Sequence, residues 1–244
     1  KDAELHLLNV VKHTCVEKRG KLIIPAFSLG RTQEIVFILD KLTNSKLLPK
    51  IKVYVDSPLS TDITEIMREN VDCFNARLQE YIKTDSDPFG FGQLKYIREK
   101  SDSMALNSTE EPCIIISASG MMDAGRIKHH LANSISDSKN TILVVGYCSP
   151  NSLGGKIRNG DKEVKIFGKE YTVNAEVEVI DSYSAHADYN ELLRFLSCQE
   201  KSKIKKLFLV HGDDEAKVSF NEKLIKEGYA NVCIPAKNEI YILN

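Results

Sequence analysis

Two histidines, His186 and His211, each follow a strand-like run, and by residue type they are the side chains best suited to chemistry. The first lies in Asp181-Ser182-Tyr183-Ser184-Ala185-His186-Ala187-Asp188 and the second in Leu207-Phe208-Leu209-Val210-His211-Gly212-Asp213-Asp214. An imidazole changes charge near neutral pH, so it can pass a proton or, when neutral, ligate a metal. Asp188 with Glu191 three residues on resembles a capping box with Asp in place of the usual Ser or Thr. That pattern predicts His186 on a strand-to-helix loop beside a helix N-terminus. Such a loop offers backbone N–H groups to an anion, and Ser184 adds a hydroxyl donor. A histidine here could protonate a leaving oxygen or hold a phosphate. It could equally cap local backbone, and both readings stay open.

His211 stands at the carboxyl end of a four-residue apolar run, where open α/β sheets bind their ligands. Followed by Asp213 and Asp214, it has the character of a metal ligand or a base. The plainer reading is that one of these aspartates caps the next helix and His211 is incidental.

Three further segments have the small residues that let a ligand approach backbone. Pro25-Ala26-Phe27-Ser28-Leu29-Gly30-Arg31 is a strand, a sharp turn and a helix start, and it mimics a nucleophile elbow around Ser28. A serine-hydrolase triad of that kind needs a histidine after its acid, and no histidine follows His211. Ser117-Ala118-Ser119-Gly120-Met121-Met122-Asp123-Ala124-Gly125-Arg126 is a strand end, a loop and a helix start without the Walker A pattern. Leu153-Gly154-Gly155-Lys156 is read as another glycine-rich turn. Two such loops after strands are modest evidence for a phosphate-bearing partner. His129 and His130 follow on the helix; neighbours on a helix point about 100° apart, so the two are read as a pair half in the core rather than as a chelate.

The elements that must position these groups alternate. Glu4 to Lys18 has helical spacing, Lys21 to Phe27 reads as a buried strand, and Arg31 to Leu42 as a helix. Strands follow at Ile51–Val55, Pro112–Ile116 and Thr141–Gly146, with a long helical stretch from about Ser60 to Lys83 and a helix near Gly125 to Ile135. Near-continuous apolar strands alternating with helices predict an α/β fold: a mostly parallel sheet with helices on both faces. After Asn159 the pattern changes. Glu163–Phe167 and Tyr171–Ile180 alternate around Gly168-Lys169 and predict a hairpin. A helix from Tyr189, the Leu207 strand, a helix from Glu215 and two short strands complete the chain. A boundary is expected near Asn174, giving domains 1–174 and 175–244.

The composition is that of a globular protein: 42% hydrophobic, 27% charged and a net charge of -1 over 244 residues. Bulk charge therefore offers no sign of nucleic-acid binding, although a local basic cleft is compatible with it. Lys201, Lys203, Lys205 and Lys206 cluster before a strand, as a solvated entrance or a phosphate contact. The six scattered cysteines show no Cys-x-x-Cys pair, which excludes a zinc ribbon and fits a reducing, cytoplasmic compartment. No apolar run nears the ~18 residues of a membrane span. Lys1 is not an initiator methionine and a helix starts almost at once, which predicts a truncated or processed chain.

Taken in order, these segments resemble the β-CASP branch of the metallo-β-lactamase superfamily. The resemblance is carried by Ile23 to Glu34, Val55-Asp56-Ser57-Pro58-Leu59, Ile116-Ser117-Ala118-Ser119-Gly120-Met121-Met122, Gly125-Arg126, Gly146-Tyr147, Leu153-Gly154, Tyr183 to Asp188 and Leu209-Val210-His211-Gly212. It implies RNA phosphodiester hydrolysis at a two-zinc centre, in which two metals activate a water for in-line attack. His186 matches the motif B histidine, the implied general acid. His211 matches the motif C histidine, an implied zinc ligand, and Ser184 is an implied phosphate contact. Residues 1–174 would be the β-CASP lid and 175–244 the last part of the metallo-β-lactamase αββα sandwich. The family's His-x-His-x-Asp-His signature, downstream histidine, bridging aspartate and motif A acid are missing here. By the resemblance they belong to a segment before Lys1. One histidine cannot hold two zinc ions, so this piece alone is expected to bind no catalytic metal tightly and to cut little or no RNA. A homodimer of the full-length protein is compatible with the resemblance, and no membrane partner is expected. Two rival readings are a non-catalytic RNA-binding or scaffold paralogue of the same fold and a small-molecule metallo-hydrolase.

Overall fold

A computed structural model describes residues 2–180 and 187–242. The chain divides into two compact units, Lys1–Ala185 and His186–Asn244. Helix α1 (Asp2–Val11) runs on into wider π-helical turns at Lys12–Glu17. Then come β1 (Leu22–Pro25), α2 (Arg31–Asn44), β2 (Lys52–Asp56), α3 (Pro58–Glu69), α4 (Ala76–Tyr81), β3 (Leu94–Tyr96), α5 (Lys100–Ser108), β4 (Cys113–Ser117), α6 (Ile127–Ser134), β5 (Thr141–Val144), α7 (Leu153–Arg158), β6 (Glu163–Ile166), β7 (Lys169–Thr172) and β8 (Glu176–Val179). Among the described residues, these form a parallel six-stranded sheet in the order β3-β2-β4-β1-β5-β8, with β6 and β7 as a separate antiparallel pair.

The predicted α/β class, with helices on both faces, is the observed one, and the strand period explains it. Side chains alternate across a strand. Leu22, Ile24, Val53, Val55, Ile114, Ile116 and Leu143 point to one face, where they pack with Leu7, Val11, Ile35 and Leu39 of α1 and α2. Ile23, Cys113, Ile115, Ile142 and Val144 point to the other, against Ile127 and Leu131 of α6 and Ile157 of α7. Strands buried on both faces must be apolar throughout, which is how β1, β4 and β5 read in the sequence.

Several local expectations are corrected. The stretch from Ser60 to Lys83 is not one helix. Asn70 leaves helical geometry, a 3-10 turn follows, and the Asn75 side-chain Oδ1 accepts the Leu78 N–H at 3.0 Å to start α4. Asparagine side chains compete for backbone in this way and interrupt an otherwise helical pattern. The strand predicted to close the hairpin as far as Ile180 is two strands. The N–H groups of Asn174 and Ala175 both donate to Ile135 O (3.0 and 2.9 Å), which turns the chain, and β8 then joins the main sheet beside β5. Residues 153–156 are the first turn of α7 rather than a glycine-rich turn, with Ser152 accepting from Gly155 N as N-cap. The glycines let this helix approach its neighbours closely: a Cβ on Gly155 would lie 2.0 Å from Ser149 O, and one on Gly154 2.9 Å from Met121 O.

Beneath the first unit's core lies Asp40 of α2, fully buried. Its Oδ2 accepts from Tyr81 Oη at 2.6 Å, while its Oδ1 has no partner. Burial pushes the carboxyl up to about 6 against the Tyr81 donor, and the carboxylates of Asp85 and Asp87 push the same way. The folded state therefore holds a proton that the unfolded chain releases, and stability falls as pH rises from about 4 to about 6. Asp40→Asn is expected to abolish that fall. Its advantage over the parent should grow across this window to on the order of 1–3 kcal/mol. Urea unfolding at pH 4 and pH 7.5 reads the difference, and an advantage equal at both pH values would refute the assignment.

The second unit contains α8 (Tyr189–Leu196), β9 (Leu207–Phe208), α9 (Asp214–Lys226) and β10 (Val232–Cys233). β9 and β10 pair in parallel across α9. The predicted Asp188 capping box is present. Asp188 Oδ1 accepts from Glu191 N at 2.9 Å, and Asp188 N donates to Glu191 Oε2 at 3.0 Å. No helix among the described residues is long and apolar enough to cross a membrane.

Candidate functional site

Because the six strands of the first unit are parallel, the loops after β1, β2, β4 and β5 emerge at one edge of the sheet. That carboxyl edge is where open α/β sheets place ligands. The loops are held by a dense polar network. Gln33, buried in the first turn of α2, accepts from Gly30 N at 2.8 Å. It donates to Ser28 O, Ser60 O and Thr64 Oγ1 at 3.0, 3.2 and 3.0 Å, which ties the β1 loop to the start of α3. Arg31 pairs with Glu34 on the same helix. Ser28 Oγ lies 3.3 Å from Ser57 Oγ. Among the described residues its side-chain partner is this hydroxyl and not an imidazole. The β4 loop is stitched to the β5 side by Gly154 N to Met121 O (3.0 Å) and Leu153 N to Asp123 Oδ1 (2.9 Å). Exposed Phe27 and Tyr147 stand on this rim.

Under the rim, Asp56, Arg126 and His130 come together in a charged cluster. Asp56 ends β2 and is 0% exposed. It accepts from Ser103 Oγ at 2.5 Å, from His130 Nε2 at 2.6 Å and from an Arg126 guanidinium nitrogen at 2.7 Å. His130 is also 0% exposed, and its Nδ1 lies 2.8 Å from Asn107 Oδ1. Arg126 donates further to Arg98 O at 2.7 Å and Ile97 O at 3.3 Å. Burial alone would raise the Asp56 carboxyl; the His130, Ser103 and Arg126 donors outweigh it and hold the group below its ordinary value. The cluster ties together the ends of β2 and β3, α5 and the start of α6, and it fixes the floor beneath the loops. A charged residue closing an apolar strand was the available signal for Asp56, but nothing in the sequence pattern pairs it with His130, 74 positions on. His130 faces Asp56, while His129 is exposed and stacks near Phe167, as their angular separation on a helix requires.

In the second unit, His211 follows β9 with φ +65 and precedes Gly212 at φ +104, so the backbone turns sharply there. It lines an open apolar groove of about 460 Å³ with Tyr189, Leu192, Phe195 and Val210. Asp213 takes the N-cap position of α9 with extended backbone and no side-chain cap bond. The lysine cluster is partly folded onto aromatic rings: the Lys201 ammonium lies 4.7 Å from the Tyr229 centroid, and that of Lys206 5.1 Å from Tyr241. Ser184 and His186 lie outside the described residues, so their placement relative to His211 is not part of this geometry. Among the described residues, no group of three or more His, Cys, Asp or Glu side chains could hold a metal ion. These residues therefore do not by themselves fit a zinc centre.

The chain is thus a parallel α/β unit with a loop-built carboxyl edge, followed by a small βαβ unit that carries His211 just beyond its first strand. The Beta-Casp domain family matches residues 32–157, and the family described as a Zn-dependent metallo-hydrolase RNA specificity domain matches residues 170–235. The chain belongs to the β-CASP family of metallo-β-lactamase-type proteins. Among its relatives are a transcription termination factor, FttA, of Methanosarcina mazei, 30% identical over 93% of this chain and 36% of that protein. A ribonuclease of Thermus thermophilus is 31% identical over 91% of this chain and 49% of its own length. An RNase J-like protein of Methanocaldococcus jannaschii is 30% identical over 98% and 54%. The chain thus spans between a third and about half the length of these curated relatives.

Proposed function

We propose that this chain is part of a zinc-dependent ribonuclease that hydrolyses RNA phosphodiester bonds. The observation that carries the proposal is the rigid carboxyl-edge rim of the first unit, with its hydroxyls and exposed rings, in a chain matched by an RNA-specificity domain of zinc-dependent hydrolases. In this reading residues 1–174 face the RNA and residues 175–244 belong to the hydrolase half. The RNA-specificity match begins nearby at residue 170, while β8 (Glu176–Val179) still completes the sheet of the first unit. His186 acts as general acid, Ser184 contacts the scissile phosphate, and His211 offers one imidazole to a metal centre completed by residues outside those described.

The test is RNA cleavage by the parent protein with and without a chelator. Cleavage that stops with chelator and returns with zinc supports the reading, whereas tight RNA binding without cleavage in a metal-replete parent would favour a scaffold role. The 244-residue chain tested alone is expected to bind RNA and cleave it little.

A further inference from the structure

The β6–β7 hairpin has an unusual tip. Ile166 pairs with Lys169, leaving Phe167 and Gly168 as a two-residue loop with φ +51 and +77. Both central residues at positive φ mark a type I′ turn, where Asn-Gly is the preferred pair because most L side chains resist that conformation. A bulky aromatic is among the least suited residues for the first position. Phe167 does not compensate by filling the core. It is 52% exposed, while Val164 and Ile166 of the preceding strand β6 are buried and anchor the hairpin to α6 and α7. Its ring lies over the first turn of α6: the Lys128 ammonium is 4.7 Å from its centroid, and the exposed His129 ring is 4.6 Å away and tilted by 35°. Directly before that turn comes Arg126, at the end of the β4 loop of the rim. Phe167 also falls between the two family matches, which end at 157 and resume at 170.

A strained, exposed ring on a rigid hairpin, backed by a second flat ring and an ammonium, has the chemistry that holds an unpaired base by stacking and its phosphate by charge. We infer that Phe167, with His129 and Lys128, forms a stacking site for one base of single-stranded RNA beside the carboxyl-edge rim. The inference rests on the RNA reading above and adds a contact that reading does not contain.

The test is fluorescence-anisotropy titration of the full chain with a labelled 20-nucleotide oligoadenylate and with an abasic ribose-phosphate oligomer of the same length. Phe167→Asn suits the turn better than the native residue, so the variant should melt at the same temperature as the parent or higher. It is expected to weaken oligoadenylate binding about tenfold and to leave abasic binding unchanged. Lys128→Ala is expected to weaken both oligomers and to lower the salt slope by about one. Oligoadenylate affinity unchanged by Phe167→Asn would overturn the stacking site while leaving the RNA reading intact. If sedimentation of the variant also changed, the ring would belong to a protein contact instead. A lower melting temperature with unchanged affinity would make Phe167 a packing residue. A parent that binds neither oligomer would sink the site and the RNA reading together.

Discussion

Asp56→Ala is expected to cost about 3–5 kcal/mol of stability, as losing one member of a buried charge network does. The reason lies in what the substitution leaves behind. Arg126 and His130 were placed by their bonds to this carboxylate, and His130 is fully enclosed. Without Asp56 a guanidinium keeps its two carbonyl partners but loses its counter-charge, and an imidazole loses the acceptor on Nε2. Asp56→Asn keeps the shape and should fall between parent and alanine variant. The pH dependence gives an independent check. The folded carboxyl sits below its ordinary value, so its contribution is fully present above the unfolded value near 4 and is lost as pH falls through the folded one. Acid unfolding of the parent should therefore steepen below roughly pH 4, and Asp56→Asn should flatten that limb. A loss smaller than about 1 kcal/mol, the range of an exposed pair, would show that the cluster is solvated and does not fix the floor of the rim.

Asp40 makes the contrast plain. Both aspartates are fully buried in the same unit, yet their carboxyls move in opposite directions. Asp56 has a guanidinium, an imidazole and a hydroxyl around it. Asp40 has a phenol and an amide, with further carboxylates nearby and one oxygen unpartnered. Burial works against the charged form of each, and the neighbours decide the outcome. Residue type and burial are thus insufficient to tell a structural anchor from a proton-holding group.

The sequence was legible wherever one strand or helix determined its own pattern. β1, β4 and β5 announce themselves because burial on both faces demands unbroken apolar runs, and α2 because its apolar residues recur along one side. β3 was missed: it has three residues, lies at the sheet edge and alternates Leu94-Lys95-Tyr96 without a buried member. α5 was missed because it buries only Ser103 and Leu106. The hairpin was legible in its turn but not in its length, since the end of β7 is set by Ile135 O, a group on another element. The same limit applies to the site. Ser28, Gly30 and Gln33 could be placed on one turn from local spacing, whereas the Asp56–His130–Arg126 cluster depends on strand order. No local pattern encodes that β2 lies beside β4.

His186→Ala in the parent enzyme is expected to cut RNA turnover by about 10²–10⁴-fold with its zinc content nearly unchanged. His211→Ala is expected to lower zinc content itself. The two imidazoles are proposed for different work, and their chain contexts differ accordingly. In the sequence His186 stands two residues before the Asp188 capping box that opens α8, and a helix start favours an anion, the setting a proton donor to a departing phosphate oxygen would need. His211 lies three residues beyond β9, at a turn set by its own positive φ and that of Gly212, and a neutral imidazole is an ordinary zinc ligand. Proton donation can be removed without removing a metal, so the ratio of zinc loss to turnover loss separates the roles where turnover alone would not. The pH profile adds a second criterion. If His186 is the acid, its removal should flatten the alkaline limb of kcat, where the donor would otherwise deprotonate. Equal zinc loss in both variants would make both residues ligands and leave the leaving oxygen without its proposed donor.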